Sequence, residues 1–314
     1  MTETQARERA GAGRAVLVVG NASVDAIVSG VHDTPRYGRE AFGRALSLSP
    51  GGVFTTAYFL AQLLPLALVH LWTGEMTSET LPIAPPFPLP PNLAVRRSPF
   101  PGPTADLTVV FQNERDRGML TVPLTSGAVA PRPEPVMVPQ VAWVHMGAQT
   151  WIEAPAALRD RLRREVGHRS VSLIPDAHVI DGLRPLIADG TITVVFCNEV
   201  EAALLVRRAR LRQDDARRWT AAAAGLEALI VTRGAQPVHS YDPSGRHLAV
   251  SVPRVADHRR FVGLGDIFVA GYIAARIVDP DEERAIRSGI HWSTTALRHL
   301  DFETAIREGR SGAP

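Results

Sequence analysis

Residues 191–205 read TITVVFCNEVEAALL: an apolar, β-branched run up to Cys197, a polar turn at Asn198, and a helical pattern from Glu199. The near-continuous apolar character of the run predicts a strand buried on both faces. Working outward, the same alternation repeats. Upstream lie VAWVHMG from Val141, a helix near Ala154 to Val166, SVSLI, and a helix near Ile180 to Ala188. Downstream lie LEALIVT from Leu226, a hairpin closing at VSVP, and long helices after Asp266. Strands alternating with helices predict a parallel sheet with helices on both faces. Ligands of such sheets sit outside the carboxyl ends of the strands, so the residues just after each strand matter most.

The N-terminal half is less regular. AVLVVG, Ala15 to Gly20, reads as a short strand buried on both faces and ends in NASVD. Val28 to Leu48 mixes strand-like alternation with turn residues. SPGGVFTTAYFLAQLL then reads as a helix entered through Gly51 and Gly52 and stopped by Pro65, with LALVHLW as the next strand. Residues 82–103 hold nine prolines, which excludes helix and predicts an extended surface linker, the most natural boundary in the chain. Beyond it, LTVVF and MLTVPL flank NERDRG as a hairpin. Residues 1–14 lack the apolar core of a signal peptide and read as a disordered tail. The most apolar stretch, Thr56 to Trp72, is interrupted by Gln62, Pro65 and His70 and is too short to span a bilayer.

The 314 residues, 45% hydrophobic and 21% charged, can bury a large core, which excludes a disordered chain. A net charge of +2 is too even for a nucleic-acid binder. There is no lysine, so all 34 basic residues are arginine. That removes the Walker A loop, the Schiff-base lysine and the protein-kinase lysine as mechanisms. A single cysteine, Cys197, excludes disulfides and thiolate metal clusters and fits a reducing cytoplasm. It reads as a small core residue. The histidines show no HExxH spacing, no G-x-S-x-G elbow is present, and the first strand exits through GNASVD rather than a G-x-G-x-x-G fingerprint. Hydrolase and dinucleotide-oxidoreductase readings are correspondingly weak. His291 and Trp292 read as helix packing.

Four constellations at strand ends carry chemistry. VGLGD, Val262 to Asp266, precedes the apolar helix IFVAGYIAARIV. Gly263, Leu264 and Gly265 let successive N–H groups turn toward one point at the helix's positive end, an anion hole, and Asp266 is a carboxylate able to take a proton from an attacking hydroxyl. A plain glycine turn with an Asp cap fits the same residues. Asn198 and Glu201, three apart on a first helical turn, suit water-mediated Mg²⁺, and equally form a capping box. Thr232, Arg233 and Gly234 close a strand with groups suited to phosphates, as any strand exit can. Asp25, four residues beyond Asn21, can take two sugar hydroxyls, and Gly51 with Gly52 admits a ligand to the backbone; singly, each also serves as a cap or bend.

Their order along the chain resembles the ribokinase-like, or PfkB, family of carbohydrate and nucleoside kinases. GNASVD, GG, NEVE, VTRG and GLGD fall in family order between about Val16 and Ala305. The resemblance implies a three-layer α/β/α sandwich with a mostly parallel central sheet, spanning residues 15–314, and a small β-sheet lid from about 28–48 and 104–122. It implies transfer of the γ-phosphoryl of ATP, with Mg²⁺, to a hydroxymethyl group of a sugar or nucleoside. By position, Asp266 becomes the base, with Gly263, Leu264 and Gly265 as the anion hole. Asn198 and Glu201 hold the Mg²⁺ waters, and Thr232, Arg233 and Gly234 line the nucleotide. Asp25, Asn21, Gly51, Gly52 and Thr56 meet the acceptor, and a lid-to-lid homodimer is the expected assembly.

Departures concentrate on the acceptor side. Thr56 stands where the family usually has Asn, Pro237 replaces the second Gly of T-x-G-x-x-G, and the proline-rich run replaces the D-x-x-G stretch. Arg260 and Phe261 replace the Asp-Thr of D-T-x-G-A-G-D, which predicts an enzyme indifferent to K⁺. GLGD also occurs in ADP-dependent sugar kinases of the superfamily, which keeps ADP as a second donor. Small-sugar kinase is the leading reading, nucleoside kinase the alternative, and a non-catalytic sugar- or nucleotide-binding regulator the third.

Overall fold

The computed structural model describes residues 15–32, 35–75, 88–113, 117–124, 140–208, 225–256, 259, 262–299 and 301–311. The expected tail, the first part of the proline-rich run, Arg260 and Phe261 lie outside them. The strands are β1 (Ala15–Val19), β2 (Ala22–Ser29), β3 (Ala45–Gly52), β4 (Val69–Thr73), β5 (Leu93–Arg97), β6 (Ala105–Gln112), β7 (Arg117–Pro123), β8 (Val141–Gly147), β9 (His168–Ser172), β10 (Val194–Asn198), β11 (Ala228–Arg233), β12 (Gln236–Tyr241) and β13 (His247–Val250). The helices are α1 (Val53–Leu63), α2 (Ala148–Glu153), α3 (Ala156–Glu165), α4 (Ala177–Ala188), α5 (Glu199–Arg208), α6 (Leu264–Val278), α7 (Glu282–Leu297) and α8 (Phe302–Ser311).

Nine strands form the central sheet in the order β13-β12-β11-β10-β9-β8-β1-β4-β5, parallel from β11 to β5 and closed at one edge by the antiparallel β12 and β13. Its strands face two cores, because successive side chains point to opposite faces of the pleat. Val16 and Val18 of β1 pack with α1, α6, α7 and α8, whereas Leu17 and Val19 pack with α2, α3, α4 and α5. Both sets of β1 side chains are fully buried, as its unbroken apolar sequence requires. The α/β/α sandwich is therefore the observed architecture.

Three local readings change. The helix expected near Ala154 to Val166 is α3, and a further short helix, α2, precedes it, kept separate because Pro155 forces Ala154 out of the helical region. The proline-rich run is not all linker. The proline-free LAVRR between Pro91 and Pro99 pairs in parallel with β4 as the edge strand β5, and Leu93 is buried in the first core. An edge is where neighbouring prolines are tolerated. Asn92 fixes the entry to β5: its Nδ2 donates to the carbonyls of Ala61 (3.0 Å), Leu64 (3.0 Å) and Ala67 (2.8 Å), satisfying the open end of α1. Finally, Gly20 and Asn21 form only the corner after β1, and SVD belongs to β2. Asp25 is thus an inner residue of a second sheet rather than a loop residue.

That second, four-stranded sheet has the order β3-β2-β6-β7, with β2 and β6 parallel and the outer pairs antiparallel. Its registered rows are Gly51–Ser23–Asp106–Pro123, Ser49–Asp25–Thr108–Thr121 and Ser47–Ile27–Val110–Met119 on one face. Pro50–Val24–Leu107–Val122 and Leu48–Ala26–Val109–Leu120 lie on the other. The strands leave the sandwich together. Asn21 Oδ1 accepts the Thr104 N–H (3.1 Å), and the Ala22 N–H donates to Thr104 O (3.0 Å) and Thr73 Oγ1 (3.1 Å).

Candidate active site

Gly263 caps α6 in the left-handed conformation, φ +75°, which only glycine adopts without strain. The first intrahelical bond runs from the Ile267 N–H to Gly263 O (2.9 Å), and the N–H groups of the preceding turn make no backbone bond among the described residues. A Cβ placed at Gly265 would meet nothing, so the approach to this helix end is open. Asp266 stands in that first turn. Burial, followed by the negative charges of Asp25 and Glu201, pushes its carboxyl up to about 7. These three acids from three segments therefore share one field at the mouth of α6.

Asp25 is buried on β2, where its Oδ1 accepts the Ser23 hydroxyl at 2.7 Å. The glycine pair is required by this carboxylate: a Cβ at Gly51 would lie 2.0 Å from Asp25 Oδ1 and 2.2 Å from Ser23 Oγ. Gly52 then caps α1 at φ +55°. Thr56, expected beside the acceptor, has no exposed surface, and its hydroxyl donates to Asp266 O (3.4 Å). It joins α1 to the turn that carries Asp266. Asn21 likewise uses its side-chain oxygen on the Thr104 backbone.

At the end of β10 the capping box is complete. Asn198 Oδ1 accepts the N–H groups of Val200 (2.9 Å) and Glu201 (3.0 Å), and Glu201 Oε2 accepts the Asn198 N–H (2.8 Å). The amide oxygen that the sequence offers to a metal-bound water thus also accepts both bonds of the cap. Burial holds the Glu201 carboxyl above the ordinary range. The β10–β11 register sets Thr232 beside Asn198, and the Thr232 hydroxyl donates to Cys197 O (3.4 Å). Arg233 is exposed and pairs with Glu199 (Nε–Oε2 3.3 Å), while Gly234 turns the chain at φ +58°. Cys197 is buried with its thiol pushed well up, the state of an inert core residue. His291 (Nε2 3.0 Å from Gly309 O) and the buried Trp292 are packing residues.

Among the described residues no group of three or more His, Cys, Asp or Glu is arranged to hold a metal ion. The donor set fits Mg²⁺ that arrives with phosphates and keeps most of its waters: one buried carboxylate, Glu201, and two further acids that feel its charge. Sequence reasoning missed Ser23, Asp106 and Thr108, which line the face of the second sheet that also carries Asp25. Their signal was an inverted alternation in ADLTVVFQ, with the polar Asp106, Thr108 and Gln112 buried and Leu107, Val109 and Phe111 half-exposed.

No curated protein matches the chain by sequence. Residues 171–303 match the pfkB family carbohydrate kinase model. Similar solved structures include an adenosine kinase from Sinorhizobium meliloti (TM-score 0.70, 18% identity), covering 96% of this chain and 100% of that one. A probable sugar kinase from Rhizobium etli gives 0.70 and 19%, covering 95% and 98%. The Arabidopsis thaliana ribokinase complexed with ribose and ATP gives 0.62 and 14%, covering 95% and 99%. With the sandwich and the small second sheet in place, the chain has the fold of these kinases, and its residues 171–303 are similar to the pfkB carbohydrate kinase family.

Proposed function

We propose that the protein transfers the γ-phosphoryl group of ATP to a hydroxymethyl group of a small sugar or sugar derivative. The observation that carries this reading is the carboxyl of Asp266, held near neutrality at the open positive end of α6. A carboxyl so placed takes the proton of the acceptor hydroxyl as its oxygen bonds to phosphorus and the bond to the departing ADP breaks. The free N–H groups of Gly263, Leu264 and Gly265 receive the charge on the transferring oxygens. Asn198 donates to phosphate, Thr232, Arg233 and Gly234 flank the nucleotide, and Glu201 orients water on Mg²⁺. When bound, Mg²⁺ neutralises the phosphate charge. Asp25, Gly51 and Gly52 meet the acceptor.

A nucleoside acceptor is the alternative, favoured by the likeness to the Sinorhizobium adenosine kinase. Among the described residues no helix is long and apolar enough to cross a membrane. A cytoplasmic location for the enzyme remains our own assignment. We also assign it a homodimer joined through the outer face of the lid sheet. Leu46, Leu120 and Val122 there are 67%, 59% and 46% exposed beside the half-exposed Leu107, Val109 and Phe111. Four strands about 4.8 Å apart and eight residues long give an apolar footprint of roughly 500 Å², and such sheets pack face to face.

A phosphotransfer screen with ATP or ADP, Mg²⁺ and panels of pentoses, hexoses, amino sugars and nucleosides tests the reading by mass spectrometry. A product heavier by one phosphoryl group supports it and names the acceptor class. Nucleotide binding without product from any pair favours a non-catalytic regulator.

A further inference from the structure

We infer that Asp106 is a specificity-determining residue that grips a hydrogen-bond-donating group of the acceptor, a hydroxyl or amine other than the hydroxyl that reacts. The inference rests on the kinase reading above and on geometry within the lid sheet. Asp106 lies in the row Gly51–Ser23–Asp106–Pro123, directly across from Ser23, whose hydroxyl serves Asp25. Its side chain therefore projects from the same face as Asp25. It is 7% exposed, and its Oδ1 has no hydrogen-bond partner among the described residues.

A buried carboxylate oxygen without a donor is destabilising, so folding alone gives no reason for one here. Nor is Asp106 isolated. Gln112 Oε1, on the same face of β6, is also buried without a partner among the described residues. Burial raises the Asp106 carboxyl above its ordinary range, and the nearby Thr104 hydroxyl only partly opposes it.

The chemistry required of the ligand follows from the surrounding groups. Rows Gly51–Ser23–Asp106–Pro123 and Ser49–Asp25–Thr108–Thr121 contain two carboxylates and hydroxyls but no cation. Thr108 and Thr121 satisfy each other at 3.1 Å. Such a surface rejects a carboxylate or phosphate and selects a neutral polyol or an amine, whose donors complete Asp106. The acceptor is accordingly hydroxyl-rich or amino-substituted at this end.

The test compares the acceptor found in the screen with its deoxy or deamino analogues in wild type, Asp106→Asn and Asp106→Leu. Wild type is expected to prefer the full acceptor by roughly ten- to hundred-fold in kcat/KM over the one analogue that lacks the gripped group. Asp106→Leu should erase that preference by raising KM for the full acceptor, with kcat within about two-fold and nucleotide affinity unchanged. Asp106→Asn should fall between. An unchanged preference in both variants, or an equal loss against every analogue, overturns the assignment. If wild type turns over nothing, the kinase reading fails separately, and calorimetric binding of the same analogues still shows whether discrimination depends on Asp106.

Discussion

The two sheets of this molecule treat their faces in opposite ways. The central sheet buries apolar residues on both sides, so Val16 and Leu17 are equally enclosed although they point in opposite directions. The lid sheet gathers buried serine, threonine and aspartate in two rows of one face, with Ile27 and Val110 buried beyond them, and half-exposed or exposed leucine, valine and phenylalanine on the other. On the function proposed above, the buried polar rows suit a polar ligand and the exposed apolar face suits a protein.

The largest test of this division is Asp266→Asn. Loss of a general base should lower kcat by about 10²–10⁴-fold while nucleotide affinity survives, and steady-state kinetics with nucleotide titration would check both. The same variant addresses stability. A carboxyl raised from 3.8 to about 7 contributes most to the ligand-free fold below its unfolded value, and that contribution is lost as pH rises through 7. Melting of wild type should fall across that window, and Asp266→Asn should flatten the curve.

Gly51→Ala drives a methyl into Asp25 and Ser23. Overpacking of this kind costs about 1–3 kcal/mol, and here it should appear chiefly as a rise in acceptor KM of tenfold or more. A Tm drop with unchanged KM would show that Asp25 does not face the acceptor.

Activity in kcat/KM should rise with pH and level off above about 7, because the active form of Asp266 is the carboxylate. Glu201→Gln removes one of the charges that raise it and should move the rising limb to lower pH. An unmoved limb would separate Glu201 from the shared field. The smallest effect belongs to Arg233→Ala. Its exposed pair with Glu199 is worth at most about 1 kcal/mol, so stability should barely move and the nucleotide KM should rise only a few-fold.

Much of the central sheet was legible because its strands repeat a pattern that only double burial explains. GLGD and NEVE were legible as positions, since a helix start after a strand fixes where backbone donors gather. The lid was harder. Alternation in ADLTVVFQ has the period of a strand but does not say which side is covered, so nothing in it singles out Asp106. β5 was hidden by the prolines on either side of it, whose restrictions end one residue outside LAVRR. Asn198 shows a different limit: the spacing identified both a cap and a ligand, and only the hydrogen bonds reveal that its oxygen serves the cap.

The corner where Asn21, Thr73 and Thr104 hold one another has a mechanical meaning. β2 and β6 spring side by side from this corner and run parallel over eight registered pairs. Any swing of the lid about that corner would carry Asp25 and Asp106 along nearly the same arc. Their mutual spacing would hold while their distance to Asp266 changed, so the pair would work as one jaw of a caliper, measuring an acceptor by the length between its recognised end and its reacting hydroxyl.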